Sequence, residues 1–304
     1  MTGHPLADVP PEPGAPKPDP IIVVDKLART FGGLKAVDVD HLEVQRGIIT
    51  ALIGPNGAGK TTFFNLISGF DTPDTGDWTL NGQSLSGVPA YAIARRGMVR
   101  TFQLTKALGR LTCMENMKLG ATDQRGEKMS RAVIPAVWRW QEREIEERAD
   151  ALLERFNMAH MRDDFAGELS GGQRKLLEMA RALMSEPEIV MLDEPTAGVN
   201  PALKQSLLGH VREVLEDGTT VVFVEHDMDM VRDISDWVVV MGEGAIIAEG
   251  THQSIGRNQT VIDAYLGSHH DQPLSFAEEQ AQLEAADEAL DKEPAEAGDE
   301  EDSR

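Results

Sequence analysis

The chain has 304 residues, 41% of them hydrophobic, a formal net charge of −22 and a single cysteine, Cys113. That length holds one large domain or two ordinary ones, and one cysteine excludes an intrachain disulfide. No apolar run approaches the ~20 residues that cross a bilayer, and the acidic balance excludes the broad basic face that general nucleic-acid binding needs.

Half of the charge is concentrated in one place. Between Asp271 and Arg304 there are thirteen acids and two bases. Residues 1–20 hold seven prolines and no apolar periodicity, which predicts a disordered arm. The start has no basic segment followed by an apolar core, so no signal peptide is expected. Ordered structure is predicted from Ile21-Ile22-Val23-Val24, a strand, followed by a second strand over 36–44, where apolar and polar residues partly alternate. Ile48 to Ile53 is apolar and β-branched, as in a buried strand. A helix over 63–68, stopped by Gly69, comes next, then a short strand at Trp78-Thr79-Leu80 and a tight turn at Asn81-Gly82.

Residues 90–96 read as a short helix and Met98 to Phe102 as a strand. From about Leu111 to Glu168 strand signals vanish, and Ile145, Ala149, Leu152 and Phe156 recur at helical spacing. Strands are then predicted at 189–192, 219–224 and 237–241, with helices over 173–185 and 202–216 and a final hairpin strand at 245–248. Near-continuous apolar strands separated by helices indicate a parallel sheet covered on both faces. In the tail from Ser268, Phe276, Leu283 and Leu290 are spaced by seven, but the composition favours a solvated disordered segment.

The strand at 48–53 runs into Gly54-Pro55-Asn56-Gly57-Ala58-Gly59-Lys60-Thr61-Thr62. This fits the phosphate-binding loop pattern in the strand–loop–helix context that it requires. Glycines let backbone N–H groups face phosphate oxygens, and the helix N-terminus adds partial positive charge. Lys60 supplies a full charge, and the Thr61 hydroxyl is a Mg²⁺ ligand. The strand 189–192 ends in Asp193-Glu194, the first a Mg²⁺ ligand in such enzymes and the second placed to polarise an attacking water. Leu169-Ser170-Gly171-Gly172-Gln173 precedes a helix, with Ser170 as its N-cap. Its exposed amides make a second anion site, which suggests a site completed between two subunits. Gln103 is a further candidate for Mg²⁺ or water, and His226 for the γ-phosphate. Phe31 either stacks on adenine or lies in the core. Taken singly, Gln103, His226 and Phe31 belong to types that are more often structural than functional.

Together these segments identify the family that the chain resembles, the ATP-binding subunit of ABC transporters. The loop at 54–62 is similar to Walker A, Gln103 to the Q-loop, L-S-G-G-Q at 169–173 to the signature, I-V-M-L-D-E at 189–194 to Walker B, Ala197 to Asn200 to the D-loop, and His226 to the switch histidine. All occur in family order, over roughly residues 20–268. F-G-G-L-K-A-V at 31–37, G-M-V-R-T-F-Q at 97–103, G-Q-R-K-L-L-E-M-A-R-A-L-M at 172–184 and V-I-D-A-Y-L-G at 261–267 resemble the ATPases of branched-chain amino acid importers. Asn200 stands where the wider family usually has Asp in the D-loop.

The resemblance implies an α/β phosphate-loop NTPase core over 21–267, with an antiparallel β-subdomain and a helical subdomain at about 104–170. The acidic tail, 268–304, lies outside it. It implies ATP and Mg²⁺ as cofactors, held by Phe31, 54–62 and Ser170-Gly171-Gly172-Gln173 (ATP) and by Thr61, Gln103 and Asp193 (Mg²⁺). Glu194, His226 and Lys60 are the expected catalytic residues. The expected partners are two membrane permeases, a second related ATPase or a second copy of this chain, and an extracytoplasmic substrate-binding protein reached through the permeases. No nucleic acid is expected. The implied location is the cytoplasmic face of the cell membrane. Urea, short amides or lipid-linked substrates are the alternatives as cargo. A non-transport ABC ATPase of DNA repair or translation is the rival class, but repair types insert long coiled coils and translation types usually carry two cassettes.

Overall fold

Four strands have apolar residues on both faces, and this alternation builds the centre of the molecule. In β3 (Ile49–Ile53), β7 (Ile189–Asp193), β8 (Thr220–Val224) and β9 (Trp237–Gly242) every residue is buried. Successive side chains point to opposite faces. Ala51, Ile53, Val190, Leu192, Val221, Phe223, Val238 and Val240 therefore enter one hydrophobic cluster. Leu52, Ile189, Met191, Val222, Val224, Val239 and Met241 enter the other. Parallel pairing needs both faces covered. With β6 (Met98–Arg100) and the antiparallel β10 (Ala245–Gly250), the strand order is β10-β9-β3-β8-β7-β6.

The computed structural model describes residues 5–101, 108–122 and 135–268. A second sheet, order β2-β1-β4-β5, is antiparallel throughout and consists of β1 (Pro20–Phe31), β2 (Leu34–Gln45), β4 (Thr75–Leu80) and β5 (Gln83–Ser84). It shares its apolar cluster with α1 (Lys60–Ile67), which supplies Phe63, Phe64, Leu66 and Ile67. The opposite face of the large sheet carries α3 (Cys113–Lys118), α4 (Pro135–Arg155), α5 (Gly171–Leu183) and α6 (Pro201–Glu216), with a short α2 (Ala90–Ala94) preceding β6. After β8 come α7 (Met228–Ile234), α8 (His252–Ile255) and α9 (Gln259–Ser268). The described residues up to Tyr265 form one compact unit. Among the described residues no helix is long and apolar enough to cross a membrane.

The expected antiparallel sheet, helical insertion and parallel core are all present. The boundaries differ where a local irregularity interrupts a pattern. β1 continues past Val24 to Phe31 because a register shift against β4, between Asp25 and Ala28, absorbs Lys26 at φ +51°. The Asn81-Gly82 turn has positive φ at both residues and pairs Leu80 with Gln83. In α4 the fully buried leucine is Leu153, with Leu152 only partly covered. The expected end of β6 at Phe102 and the spaced apolar residues of the acidic tail lie outside the described residues.

The expectation of a disordered arm over 1–20 needs correction for residues 5–20. Leu6 and Ala15 are buried, and Leu6 belongs to the cluster between the sheets. Lys17 Nζ donates to Glu249 Oε2 at 2.9 Å and to the Ala15 carbonyl at 2.6 Å, with both ionic side chains fully buried. Glu249 also accepts from the Gly14 N–H at 2.7 Å and from Trp237 Nε1 at 3.1 Å. The prolines that look like a disorder signal reduce the entropy lost when this segment is ordered. Removing one member of a buried ion pair strands the other. Lys17→Met should therefore lower the free energy of unfolding by about 3–5 kcal/mol in a denaturant titration. An unchanged midpoint would show that the Lys17–Glu249 pair contributes nothing to stability.

Candidate functional site

The phosphate loop is shaped by two close backbone approaches. Gly54 has φ +151°, and a Cβ there would lie 2.2 Å from the Met241 carbonyl oxygen. Gly59 has φ +97°, and a Cβ there would lie 2.3 Å from the Ala36 oxygen. Only glycine admits this path. The loop is thereby clamped between the end of β9 and the start of β2. Gly59 is also the left-handed residue before α1, which has no side-chain cap and no acid in its first turn. Its free amides and dipole face outward, the arrangement that binds phosphate.

Lys60 folds back over the loop. Its Nζ donates to the carbonyls of Gly54 at 2.7 Å and Pro55 at 2.8 Å. Burial pushes this ammonium below its ordinary pKa, and the nearby Glu194 carboxylate opposes the shift. A cavity of about 570 Å³ opens above the loop, with Asn56, Gly57, Ala58, Gly59, Lys60, Thr61 and Thr62 on its wall together with Glu194. Leu34, Lys35, Ala36 and Glu243 complete the wall; the first three lie in the 31–37 segment, but sequence reasoning assigned none of the four a site role. The only available signal for Glu243 was its place in the Gly242-Glu243-Gly244 turn.

β7 delivers two acids to different places. Asp193 ends the strand on the α1 side, 5% exposed, and its Oδ2 accepts from Arg100 Nη2 at 2.7 Å. Arg100 also donates to Asn65 Oδ1 at 2.7 Å and Ser68 Oγ at 3.0 Å, and its guanidinium lies over Phe64 and Phe70. Sequence reasoning missed this arginine. Glu194 follows with φ +45°, a region that side chains other than glycine seldom occupy. Its N–H donates to the Val224 carbonyl at 3.0 Å, and its own carbonyl accepts from Lys175 Nζ at 2.7 Å. The turn directs the side chain to the cavity. His226, at the end of the adjacent β8, is largely exposed, with Nδ1 3.9 Å from Glu194 Oε1. That is beyond hydrogen-bond reach but close enough to converge on one small ligand group.

Other expected site residues fall elsewhere. Phe31 is 48% exposed at the end of β1 beneath the Arg29 guanidinium, so it is not a core residue, and it is not on the cavity wall. Ser170 caps α5 in a reciprocal box with Gln173, leaving Gly171 exposed at the helix start. These residues are also off the cavity wall. Asn200 caps α6 by accepting from the Leu203 N–H at 3.0 Å, with Pro201 in the first turn. Gln103 lies outside the described residues.

The cradle fits a nucleoside triphosphate. Its backbone leaves no room for a Cβ at Gly54 or Gly59, its helix start has no side-chain cap, and a half-buried ammonium covers it. Among the described residues no cluster of three His, Cys, Asp or Glu could enclose a metal ion. A divalent ion at this cavity would depend on Thr61 and the nucleotide's own phosphates, because Asp193 is paired with Arg100 and is not on the cavity wall; a site this poor in protein ligands suits Mg²⁺, which retains water.

A clamped phosphate loop facing an acid across a parallel sheet defines a phosphate-loop nucleoside triphosphatase. The family described as ABC transporter matches residues 37–197. The probable branched-chain amino acid transport ATP-binding protein LivG of Archaeoglobus fulgidus is 41% identical over 248 residues, covering 82% of this chain and 96% of the relative. The high-affinity branched-chain amino acid transport ATP-binding protein BraF of Pseudomonas aeruginosa is 40% identical over 250 residues, covering 82% and 98%. A crystal structure of a nucleotide-free ATP-binding cassette from an ABC transporter superposes with TM-score 0.71 at 35% identity, covering 81% of this chain and 98% of the other. The ADP conformation of such a cassette gives 0.70 at 35% identity, covering 82% and 99%. The chain belongs to the ABC transporter family and is one of its ATP-binding, ATP-hydrolysing cassettes.

Proposed function

We propose that this chain is the ATPase of a branched-chain amino acid importer, acting at the cytoplasmic face of a membrane through permease partners. The observation that carries the reading is the clamped phosphate cradle opposite Glu194 and His226, in a chain whose curated relatives bear that transport name over 82% of its length. ATP would lie with its phosphates on the loop amides and Lys60. Gly171 and Gln173 of a second cassette would close over the γ-phosphate, because the chain's own α5 start does not line its cavity. Glu194 would accept a proton from water as that water attacks the γ-phosphorus. The bond to the β-phosphate oxygen breaks and ADP departs. His226 would donate to a γ-phosphate oxygen. Mg²⁺, held by Thr61 and Gln103, would neutralise charge on the phosphates.

Because the chain supplies the nucleotide site and no described helix spans a membrane, the pathway must come from partners. Affinity purification from native membranes followed by mass spectrometry should recover two hydrophobic permeases and a second ATPase. Recovery of DNA-repair or ribosomal proteins in their place would overturn the transport reading. Deletion of the chain should abolish high-affinity uptake of labelled leucine, isoleucine and valine. Loss of urea or short-amide uptake with leucine uptake intact would overturn the amino-acid assignment and leave the ATPase standing.

A further inference from the structure

Glu225 is 1% exposed, between β8 and the turn carrying His226. A buried carboxylate is costly unless its oxygens are satisfied. Here the two oxygens serve different segments. Oε1 accepts from the Thr196 N–H at 2.9 Å and from Thr196 Oγ1 at 2.6 Å. Oε2 accepts from the His226 N–H at 3.2 Å and the Asp227 N–H at 3.5 Å. Thr196 is two residues beyond Glu194. The carboxylate thus bridges the loop after one candidate catalytic group to the backbone of the other.

The link is doubled on the far side of the histidine. Asp227 pairs with Lys204 in the first turns of α6, and that helix is capped by Asn200 at the end of the same loop. Asp227 Oδ1 meanwhile caps α7 through the Asp229 and Met230 N–H groups. Hydrogen bonding to Lys204 holds the Asp227 carboxyl below its ordinary pKa, so it stays ionised in this role. A third tie comes from α5, where Lys175 holds the Glu194 carbonyl, with the Glu225 and Glu194 carboxylates among the charges around its ammonium. The nucleotide cradle on β3 and α1 takes no part in these bonds.

We propose that Glu225 is a positioning residue, a carboxylate bridge that fixes His226 relative to Glu194 by joining their two backbone segments through Thr196. This rests on the reading of Glu194 and His226 as the groups that meet the γ-phosphate. A glutamine at 225 offers one acceptor and turns an NH₂ toward N–H donors, so the bridge opens on one side. The nucleotide cradle is untouched, so turnover falls while ATP binding does not.

The test is steady-state ATPase kinetics and MgATP calorimetry on the full chain for wild type, E225Q, T196V, K204M, the E225Q/T196V double variant and E194Q. Glu225→Gln should lower kcat by about tenfold or more, with KM for ATP within about twofold. Thr196→Val, which removes one hydroxyl and keeps the N–H, should lower kcat by roughly threefold. The double variant should fall no further than E225Q, because both act through one bridge. Should E225Q fail to fold, T196V and K204M carry the test, each with reduced kcat and unchanged KM. Wild-type kcat in T196V and K204M, multiplicative losses in the double variant, or a matching loss of MgATP affinity would overturn the bridge. Inactive E194Q beside those outcomes defeats the bridge alone. Full turnover in E194Q overturns the site reading and the bridge with it.

Discussion

Glu194→Gln should bind MgATP as the wild type does and hydrolyse it at least ~10²-fold more slowly, the scale of lost general-base catalysis. That factor corresponds to about 2.7 kcal/mol in the barrier. The substitution keeps the volume and leaves the backbone bonds to Val224 and Lys175 in place, so the turn at φ +45° survives. Only the proton acceptor is lost. Nucleotide-bound dimers should accumulate, visible as an ATP-dependent shift in size-exclusion chromatography. Near-normal turnover would remove Glu194 from the role.

Lys60→Ala acts at the other end of the cavity and on a different quantity. The ammonium is held over the loop by the Gly54 and Pro55 carbonyls and partly desolvated. A charge-assisted bond in such a setting contributes about 1.5–3 kcal/mol, or roughly ten- to a hundredfold in Kd. Calorimetry should show that loss for ATP, where the outer phosphates carry the charge that Lys60 meets. Unchanged ATP affinity would contradict the phosphate-loop assignment.

The groups that were legible from the residues are those whose chemistry is local. The phosphate loop, the Asp193-Glu194 pair and the Ser170 cap each occupy a few consecutive positions, and strand or helix context follows from the neighbours. What escaped was pairing at long range. Arg100 meets Asp193 across 93 residues because β6 lies beside β7 in the sheet. Lys17 meets Glu249 across 232 residues because the arm passes Glu249 of β10 on its way along the end of β2. Hydrophobic period carries no information about either partner. Proline and polar composition marked the arm as unable to build a core. It does not build one, but its Leu6 and Lys17 complete a core and an ion pair supplied by other segments. Phe31, for which the sequence left both adenine stacking and the core open, is left outside the core by the strand end.

The alternation of β7 between two apolar clusters has a genetic consequence. With the start of β7 held in register, deleting one residue of Ile189–Leu192 would reverse the face of every side chain after the gap and carry Asp193 away from Arg100 and α1. The same error that misplaces the acid at the strand's end also mismatches any buried side chain on the shifted side of the gap. A length error in β7 would therefore be eliminated as an unfolded chain before it could persist as a folded, miswired ATPase.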